Sequence, residues 1–387
     1  MEEFIYFVAG EVSGDTHGAA LLSALRARRP ELTFHGRGGP RMEAVAGAGL
    51  ENWIEEAAVV GLWEVLKKYG YFRWQFDRVL AEIDRRRPAA VVLIDYPGFN
   101  LRLAKALRER HGRTLKIIYY ISPQVWAWNR GRIPRMATLL DLMLCIFPFE
   151  PALYEPAGLR SVFVGHPLID SLAAEPPQTR NATLVGLFPG SRRREVEKIF
   201  PVMLAAAAIM RRERPELRFA TAAPSERMAR ELAAIRTGAG WTEVECPVGV
   251  GDARQLMGRA AVGMVASGTA TVEAASLGMP LVIVYKVAAL TYWVGRAVVR
   301  VPFLGMVNLL ADREIAREFL QGEARPEPIA AETLRLLDAD GEARRRQIAD
   351  LREVVNRLGG GGAAARAAEA ILQALEVTGP VALRSED

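Results

Sequence analysis

Short, nearly unbroken runs of aliphatic and β-branched residues recur along this chain. Each is followed by a turn and then by a stretch with helical spacing. In the first half such runs occupy residues 4–8, 90–94, 115–121, 142–146 and 162–164. A strand with one wet face alternates polar and apolar side chains, so strands without a polar face must be covered on both sides. Strands of that kind alternating with helices fold into a parallel sheet with helices packed on each face. The pattern starts again at 184–188 and continues through 217–222, 261–265 and 281–285. The expected fold class is therefore α/β, with two doubly wound, Rossmann-like halves.

Residues 175–180 (EPPQTR) interrupt the pattern with two prolines among polar residues and read as a linker. The expected organisation is an N-terminal domain over 1–172 and a C-terminal domain over 181–358, followed by a helix and tail over 359–387. Helices are expected at 329–337, 342–358 and 363–375, with a four-glycine run at 359–362 acting as a flexible hinge. Two such halves leave a cleft between them. Ligands of open parallel sheets sit beyond the carboxyl ends of strands, so residues just after strands carry most of the functional information.

Composition narrows the function classes. The 387 residues carry 50 Lys and Arg against 45 Asp and Glu, a net charge of only +5, with no long block of like charge. That argues against a nucleic-acid partner and leaves room for a phosphorylated substrate or an anionic membrane surface. Two widely separated cysteines in apolar surroundings read as buried thiols, and four scattered histidines give no zinc-ligand spacing. The start, MEEFIYFVAGEVSGD, reads as a first strand rather than a signal peptide. The longest run free of Asp, Glu, Lys and Arg is 13 residues, too short to span a bilayer.

Several strand ends carry residue types suited to chemistry. After the first strand, AGEVSGD places Gly10, Glu11, Ser13, Gly14 and Asp15 at a turn that opens a helix. Glycines there allow close backbone approach, and a helix N-terminus favours anions; the competing reading is an ordinary turn in which Ser13 or Asp15 caps the helix. The segment is not GxGxxG, so no dinucleotide site is indicated. GRGGP at 36–40 is a second glycine-rich turn, with Arg37 either a surface charge or a phosphate contact. VVLIDYPGFN ends a strand in Asp95, which could accept a proton from a hydroxyl nucleophile or could simply cap the next helix. Trp126 and Trp128 lie beside another strand end and could line a sugar or acyl site or belong to the core. In the second half, PGSRRR places Arg192 beside Gly190 and a helix start, resembling a diphosphate cradle. SGTATVE opens a helix at Ser267, Gly268 and Thr269, with Glu273 a turn further on, where a carboxylate could accept both ribose hydroxyls. Asp338-Ala339-Asp340 has the DxD spacing of metal-dependent glycosyltransferases, but it falls between two late helices and reads as a loop and cap.

In order along the chain, AGEVSGDTHGA, FHGRGGPRM, LIDYPGFNLRLAKALR, YYISPQVWAWNRGRI, IFPFEPALYEPAG, FVGHPLID, LFPGSRRREV, ASGTATVEAASLGMPLVIVYK and NLLADREIAREFLQ closely resemble the lipid-A-disaccharide synthases. The resemblance covers most of the chain, and SPQVWAW, VGHPL, PGSRRREV and SGTATVEA are together very specific. It implies a GT-B fold, two Rossmann-like domains facing across a cleft, and an inverting glycosyl transfer. The donor would be UDP-2,3-diacylglucosamine and the acceptor 2,3-diacylglucosamine 1-phosphate, with no cofactor and no metal. It also implies Asp95 as the catalytic base. Arg192, Ser267, Gly268, Thr269, Glu273, Asn308 and Gln321 would hold the UDP-sugar, and Gly10, Glu11, Ser13, Gly14 and Asp15 the acceptor. The expected location is the cytoplasmic face of the inner membrane of a Gram-negative bacterium, with an anionic membrane surface as partner and a homodimer as a candidate assembly. Residues 58–76 and 292–310 mix apolar, aromatic and basic types that suit such a surface. The chain departs from the family pattern at Val60, at Gly98 where a second acid is frequent, at Val307 where Pro is frequent, and at Asp312 where Gly is frequent. The rival readings are another GT-B enzyme, such as a sugar-nucleotide 2-epimerase or the peptidoglycan N-acetylglucosaminyltransferase, and a non-catalytic nucleotide-sugar-binding protein.

Overall fold

The computed structural model describes residues 3–54, 69–173, 178–287 and 301–376. Half of the linker and much of the two apolar-aromatic segments, with Val60, lie outside the described residues. The chain divides into two compact units, one of Met1–Asp170 with Gly359–Asp387 and the other Ser171–Leu358.

The first unit is built on β1 (Phe4–Ala9), β2 (Thr33–Gly38), β3 (Leu50–Asn52), β4 (Ala90–Ile94), β5 (Lys116–Tyr120), β6 (Leu142–Cys145) and β7 (Ser161–Phe163). These pair in the order β3-β2-β1-β4-β5-β6-β7, every neighbour parallel. The second unit is built on β8 (Asn181–Phe188), β9 (Arg218–Ala223), β10 (Val248–Val250), β11 (Ala260–Ala266), β12 (Leu281–Tyr285) and β13 (Glu318–Leu320). Their order is β10-β9-β8-β11-β12-β13, again all parallel. In each sheet the chain steps outward from its first strand, then returns to start again on that strand's other side. The reversals lie between β1 and β4 and between β8 and β11, the places where open α/β sheets present a crevice to ligands.

The burial pattern explains the apolar runs. Every residue of β4 and of β11 is buried, as strands covered on both faces require. In the first unit Leu103, Ala104 and Leu107 of the helix Pro97–His111 and Val79 and Ile83 of the helix Tyr69–Arg86 pack into the core with β1 and β4 side chains. The last described helix, Ala363–Glu376, packs on Val12–Arg28 of the first unit. Its buried face is mostly alanine (Ala363, Ala367, Ala370, Ala374 around Ile371), which lets the two helices approach closely.

Two features differ from expectation. The edge strands β3, β10 and β13, which no apolar run announces, have three residues each, with a polar residue or a glycine among them; β7 is as short but overlaps an apolar run. The four-glycine run, expected as a flexible hinge, is fastened. The Asp170 carboxylate accepts from Gly362 N at 2.5 Å and Ala363 N at 2.9 Å, and Arg366 donates to the Val164 carbonyl at 2.8 Å. Gly359 and Gly362 sit at φ 87° and 92°, which explains why glycine is used there. Asp338 and Asp340 lie between the helices Pro326–Leu337 and Glu342–Arg357, with Asp338 accepting from Asp340 N at 3.3 Å, a loop and cap as expected.

Candidate active site

In the first unit the β1–β4 register ends at Ala9 opposite Ile94, so Gly10 and Asp95 leave the sheet side by side at the reversal. Asp95 and Tyr96 both have left-handed backbones, with φ 46° and 50°. This is a costly conformation for side chains bearing a Cβ. The Asp95 carboxyl is half-buried, and its pKa is pushed up to about 6, first by burial and then by the negative charge of Glu11. A carboxylate with that proton affinity is ionised near neutral pH and still basic enough to take a proton. The Tyr96 ring lies over Gly10; a Cβ on Gly10 would come within 2.4 Å of it, so only glycine fits.

The remaining residues of the β1 loop divide by role. Glu11 and Ser13 are exposed at the start of the helix Val12–Arg28. Gly14 is buried, with its Cβ position 3.4 Å from Ala9 and 3.8 Å from Ile94. Asp15 is 3% exposed and both its oxygens are engaged: they accept from Gly39 N (3.0 Å), Arg41 N (3.0 Å) and Met42 N (2.9 Å). It therefore caps the helix Pro40–Ala46 rather than presenting a contact to an acceptor. The helix it caps is a neighbouring one and not its own, a pairing invisible in the sequence.

In the second unit the reversal brings Pro189-Gly190-Ser191, after β8, beside Ser267, after β11. Gly190 has φ 102° and Gly268 φ 147°, so here glycines take the positive angles. Arg192 is 80% exposed in its side chain and pairs with Glu195 at 3.0 Å. Ser267 is half-buried and donates to the Leu304 carbonyl at 2.6 Å. Thr269 is exposed at the start of the helix Ala270–Ser276, and a Cβ on Gly268 would meet open space. Glu273, on that helix, is partly exposed and lies 3.3 Å from Arg254.

A model of the lipid-A-disaccharide synthetase family matches residues 5–373. The lipid-A-disaccharide synthase of Myxococcus xanthus is 40% identical over 380 residues, covering 96% of this chain and 97% of that protein. The chain belongs to the lipid-A-disaccharide synthase family. Its activity is that of a glycosyltransferase of lipid A biosynthesis. Among solved structures, a UDP-GlcNAc 2-epimerase from Neisseria meningitidis bound to UDP-GlcNAc aligns with a TM-score of 0.61 at 10% identity, over 96% of this chain and 100% of that one. MurG of Acinetobacter baumannii aligns with a TM-score of 0.51 at 13% identity, over the same shares of each chain. At those identities the likeness concerns the fold, which is GT-B. Among the described residues no helix is long and apolar enough to cross a membrane.

The departures from the synthase pattern have local explanations. Asp312 ends the helix Met306–Ala311 at φ 53°, a left-handed position where glycine is the natural residue. Val307 lies fully buried in the first turn of that helix, where a proline would need no hydrogen-bonded N–H. Gly98 is exposed, and its Cβ position meets nothing within 4 Å.

Two expected donor contacts are also placed by the structure. Asn308 is 0% exposed and saturated. Its amide donates to Ala316 O (2.7 Å) and Glu318 (2.9 Å), and its carbonyl accepts from Ile315 N (2.8 Å) and Ala316 N (2.9 Å). It has nothing left for a ligand. With Glu318, which accepts from Leu304 N at 3.0 Å and Gly305 N at 2.8 Å, it shapes the segment on which Ser267 rests. In this structure Asn308 thus stands under the loop rather than in it. Gln321 has φ 49°, accepts from Val287 N at 3.2 Å, and keeps a buried amide nitrogen without a partner among the described residues.

Other sequence candidates resolve into structure. Arg37 is 3% exposed and pairs with Glu51 at 3.4 Å and Glu82 at 3.2 Å, so it is neither a surface charge nor a phosphate contact. The cavity of about 450 Å³ beside it, at the β2–β3 edge, is lined by these same spent charges. Trp126 is core, donating from its indole to the buried Glu150 at 3.1 Å, while the Trp128 side chain lies outside the described part. Sequence reasoning missed Arg254. It bridges Glu273 and Ser171, at 3.3 and 3.2 Å, from a short helix with no motif of its own.

Proposed function

We propose that Asp95 is the base of an inverting transfer from UDP-2,3-diacylglucosamine to 2,3-diacylglucosamine 1-phosphate. The acceptor's 6-hydroxyl attacks the anomeric carbon of the donor and passes its proton to Asp95. The bond from that carbon to the diphosphate breaks, and UDP leaves with the electron pair. The products are the β(1→6) disaccharide 1-phosphate and UDP.

The observation that carries this reading is the position of Asp95. It is a half-buried carboxyl, raised in proton affinity, at the reversal point of a parallel sheet and one residue past the end of the β1–β4 register. Arg192, Gly268 and the backbone at Thr269 would receive the diphosphate. Guanidinium and N–H donors can supply the electrostatic support a leaving phosphate needs. Glu273 would take the ribose hydroxyls, positioned by Arg254, and the unpaired Gln321 amide would donate to the donor. Gly10, Glu11, Ser13 and Gly14 would line the acceptor side.

The test is product analysis with acylated donor, with and without acceptor, for the natural chain and for Asp95→Asn. The expected outcome is disaccharide only when both substrates are present, and its loss in Asp95→Asn while UDP still binds. Conversion of donor in the absence of acceptor would instead identify an epimerase, and near-normal turnover by Asp95→Asn would remove the base assignment.

We also propose that the protein works on the anionic, cytoplasmic face of the inner membrane. Trp74 supports this: it is 52% exposed, and the Arg78 guanidinium sits 4.5 Å over its ring. Aromatic and cationic groups side by side suit a headgroup interface. Failure to sediment with anionic vesicles at low salt would remove this part.

A further inference from the structure

At the reversal point of the second sheet, the positive φ angles fall on glycines. At the equivalent point of the first sheet they fall on Asp95 and Tyr96 in succession. Side chains are retained there against a conformational cost, and such a backbone persists only where its surroundings over-determine it.

The surroundings are two buried side chains beneath the turn. The Tyr119 hydroxyl, at the end of β5, donates to the Asp95 carbonyl at 2.5 Å. The Asn100 amide donates to the same carbonyl at 2.7 Å and to the Ile94 carbonyl at 3.2 Å, with the Val8 carbonyl of β1 at 3.4 Å. The Asn100 backbone N–H also donates to the Tyr96 carbonyl at 3.0 Å, so this residue holds the turn from both ends. Asn100 and Tyr119 are both 0% exposed. Neither can touch a substrate; their hydrogen bonds reach the reaction through the backbone of Asp95.

We propose that Asn100 and Tyr119 are positioning residues for the transfer. By gripping the Asp95 carbonyl they fix the left-handed Asp95–Tyr96 turn, and the turn aims the carboxylate. The proposal rests on reading Asp95 as the base, and the experiment separates the two. The groups facing the Asp95 carboxyl are Glu11 from the start of the helix Val12–Arg28, the Tyr96 backbone N–H, which donates to it, and Tyr119 from β5.

Tyr119→Phe removes one hydroxyl and keeps the packing; Asn100→Ala removes the whole amide. Tyr119→Phe is expected to lower kcat by roughly tenfold and Asn100→Ala by roughly a hundredfold, the scale on which a misplacement of about 1 Å acts on a reacting group. Donor KM and UDP affinity should stay within about twofold, because the donor residues are on the other unit. The acid limb of the rate profile, set by a carboxyl held at about 6 by burial, should move toward lower pH as the released carboxylate gains water.

A role confined to folding would lower the melting temperature and leave the limb and the kcat of the folded fraction unchanged. That result in Tyr119→Phe, or natural kcat with an unmoved limb, overturns the proposal even if Asn100→Ala does not fold. If Asp95→Asn itself turns over normally, the base reading fails first. If Asp95→Asn is dead and Tyr119→Phe is natural in rate and profile, the positioning role alone is lost.

Discussion

The two sheets of this protein share one strand order, the first with one strand more, and set different residues at the same point. Each reverses direction beside its first strand, and each places a glycine-containing loop at that point. In the first unit the reversal holds a half-buried carboxyl on a strained turn, close to a second acid. In the second it holds glycines at the strained positions, a short helix start and an Arg that is 80% exposed. One arrangement keeps a carboxyl of raised pKa on a costly backbone; the other puts glycine at the turn and holds its exposed Arg192 only by an ion pair with Glu195. The fold supplies the location, and the local sequence decides whether that location handles a proton or an anion.

The sharpest way to break this comparison is to exchange the damage between the halves. Asp95→Asn should lower kcat by about 10²–10⁴-fold, the usual range for a lost general base, with UDP affinity unchanged. Arg192→Ala should do the reverse in kind, raising donor KM and the Kd of UDP by about 10–100-fold, the equivalent of one charged hydrogen bond. Equal effects of both variants on UDP binding would erase the distinction.

Stability gives the next contrast. The Asp95 pKa is raised in the folded chain from 3.8 to about 6. Its contribution is thus fully present below about pH 4 and lost as pH rises through 6. Above that, the ionised carboxyl destabilises the fold, by about 1–2 kcal/mol once its partial exposure is discounted. Asp95→Asn should therefore gain stability in urea at pH 8 and gain nothing at pH 3.5, whereas Arg192→Ala should change little at either pH. A loss of stability in Asp95→Asn at pH 8 would contradict the stored cost.

Glu11 raises the proton affinity of Asp95, so Glu11→Gln should move the acid limb of the rate profile from about 6 toward lower pH. An unmoved limb would show that burial alone sets it. The smallest effect concerns backbone alone: Asp312→Gly, at φ 53°, should stabilise the second unit by about 0.5–1 kcal/mol, read as a higher melting temperature without change in rate.

Much of the fold was legible because buried parallel strands leave an unmistakable apolar run. Ala90–Ile94 and Leu281–Tyr285 form strands with the bounds that their sequence gives. The edge strands β3, β10 and β13 were not legible, because Leu-Glu-Asn, Val-Gly-Val and Glu-Phe-Leu mix their apolar residues with a polar one or a glycine, whereas β7, of the same length, overlaps the apolar run 162–164. At the candidate site, residue types at strand ends marked loops that the structure places at the two sheet reversals. They could not reveal which side chains a distant backbone engages, as at Asp15 and Asn308, nor the ion pair that Arg254 makes with Glu273.

The sequence by itself determined the two-sheet class, the loops that follow the strands and the family. Apolar periodicity and local motifs are properties of neighbours along the chain, and they survive in one dimension. Tertiary structure alone decided which groups have spare hydrogen-bonding capacity. It spent Asp15 on the amides of residues 39–42 and Asn308 on residues 315–318, and it left the Gln321 nitrogen unpaired. It also placed Tyr119 and Asn100 under one carbonyl. Satisfaction of a buried polar atom depends on what lies within about 3 Å in space, and the order of residues does not fix that distance.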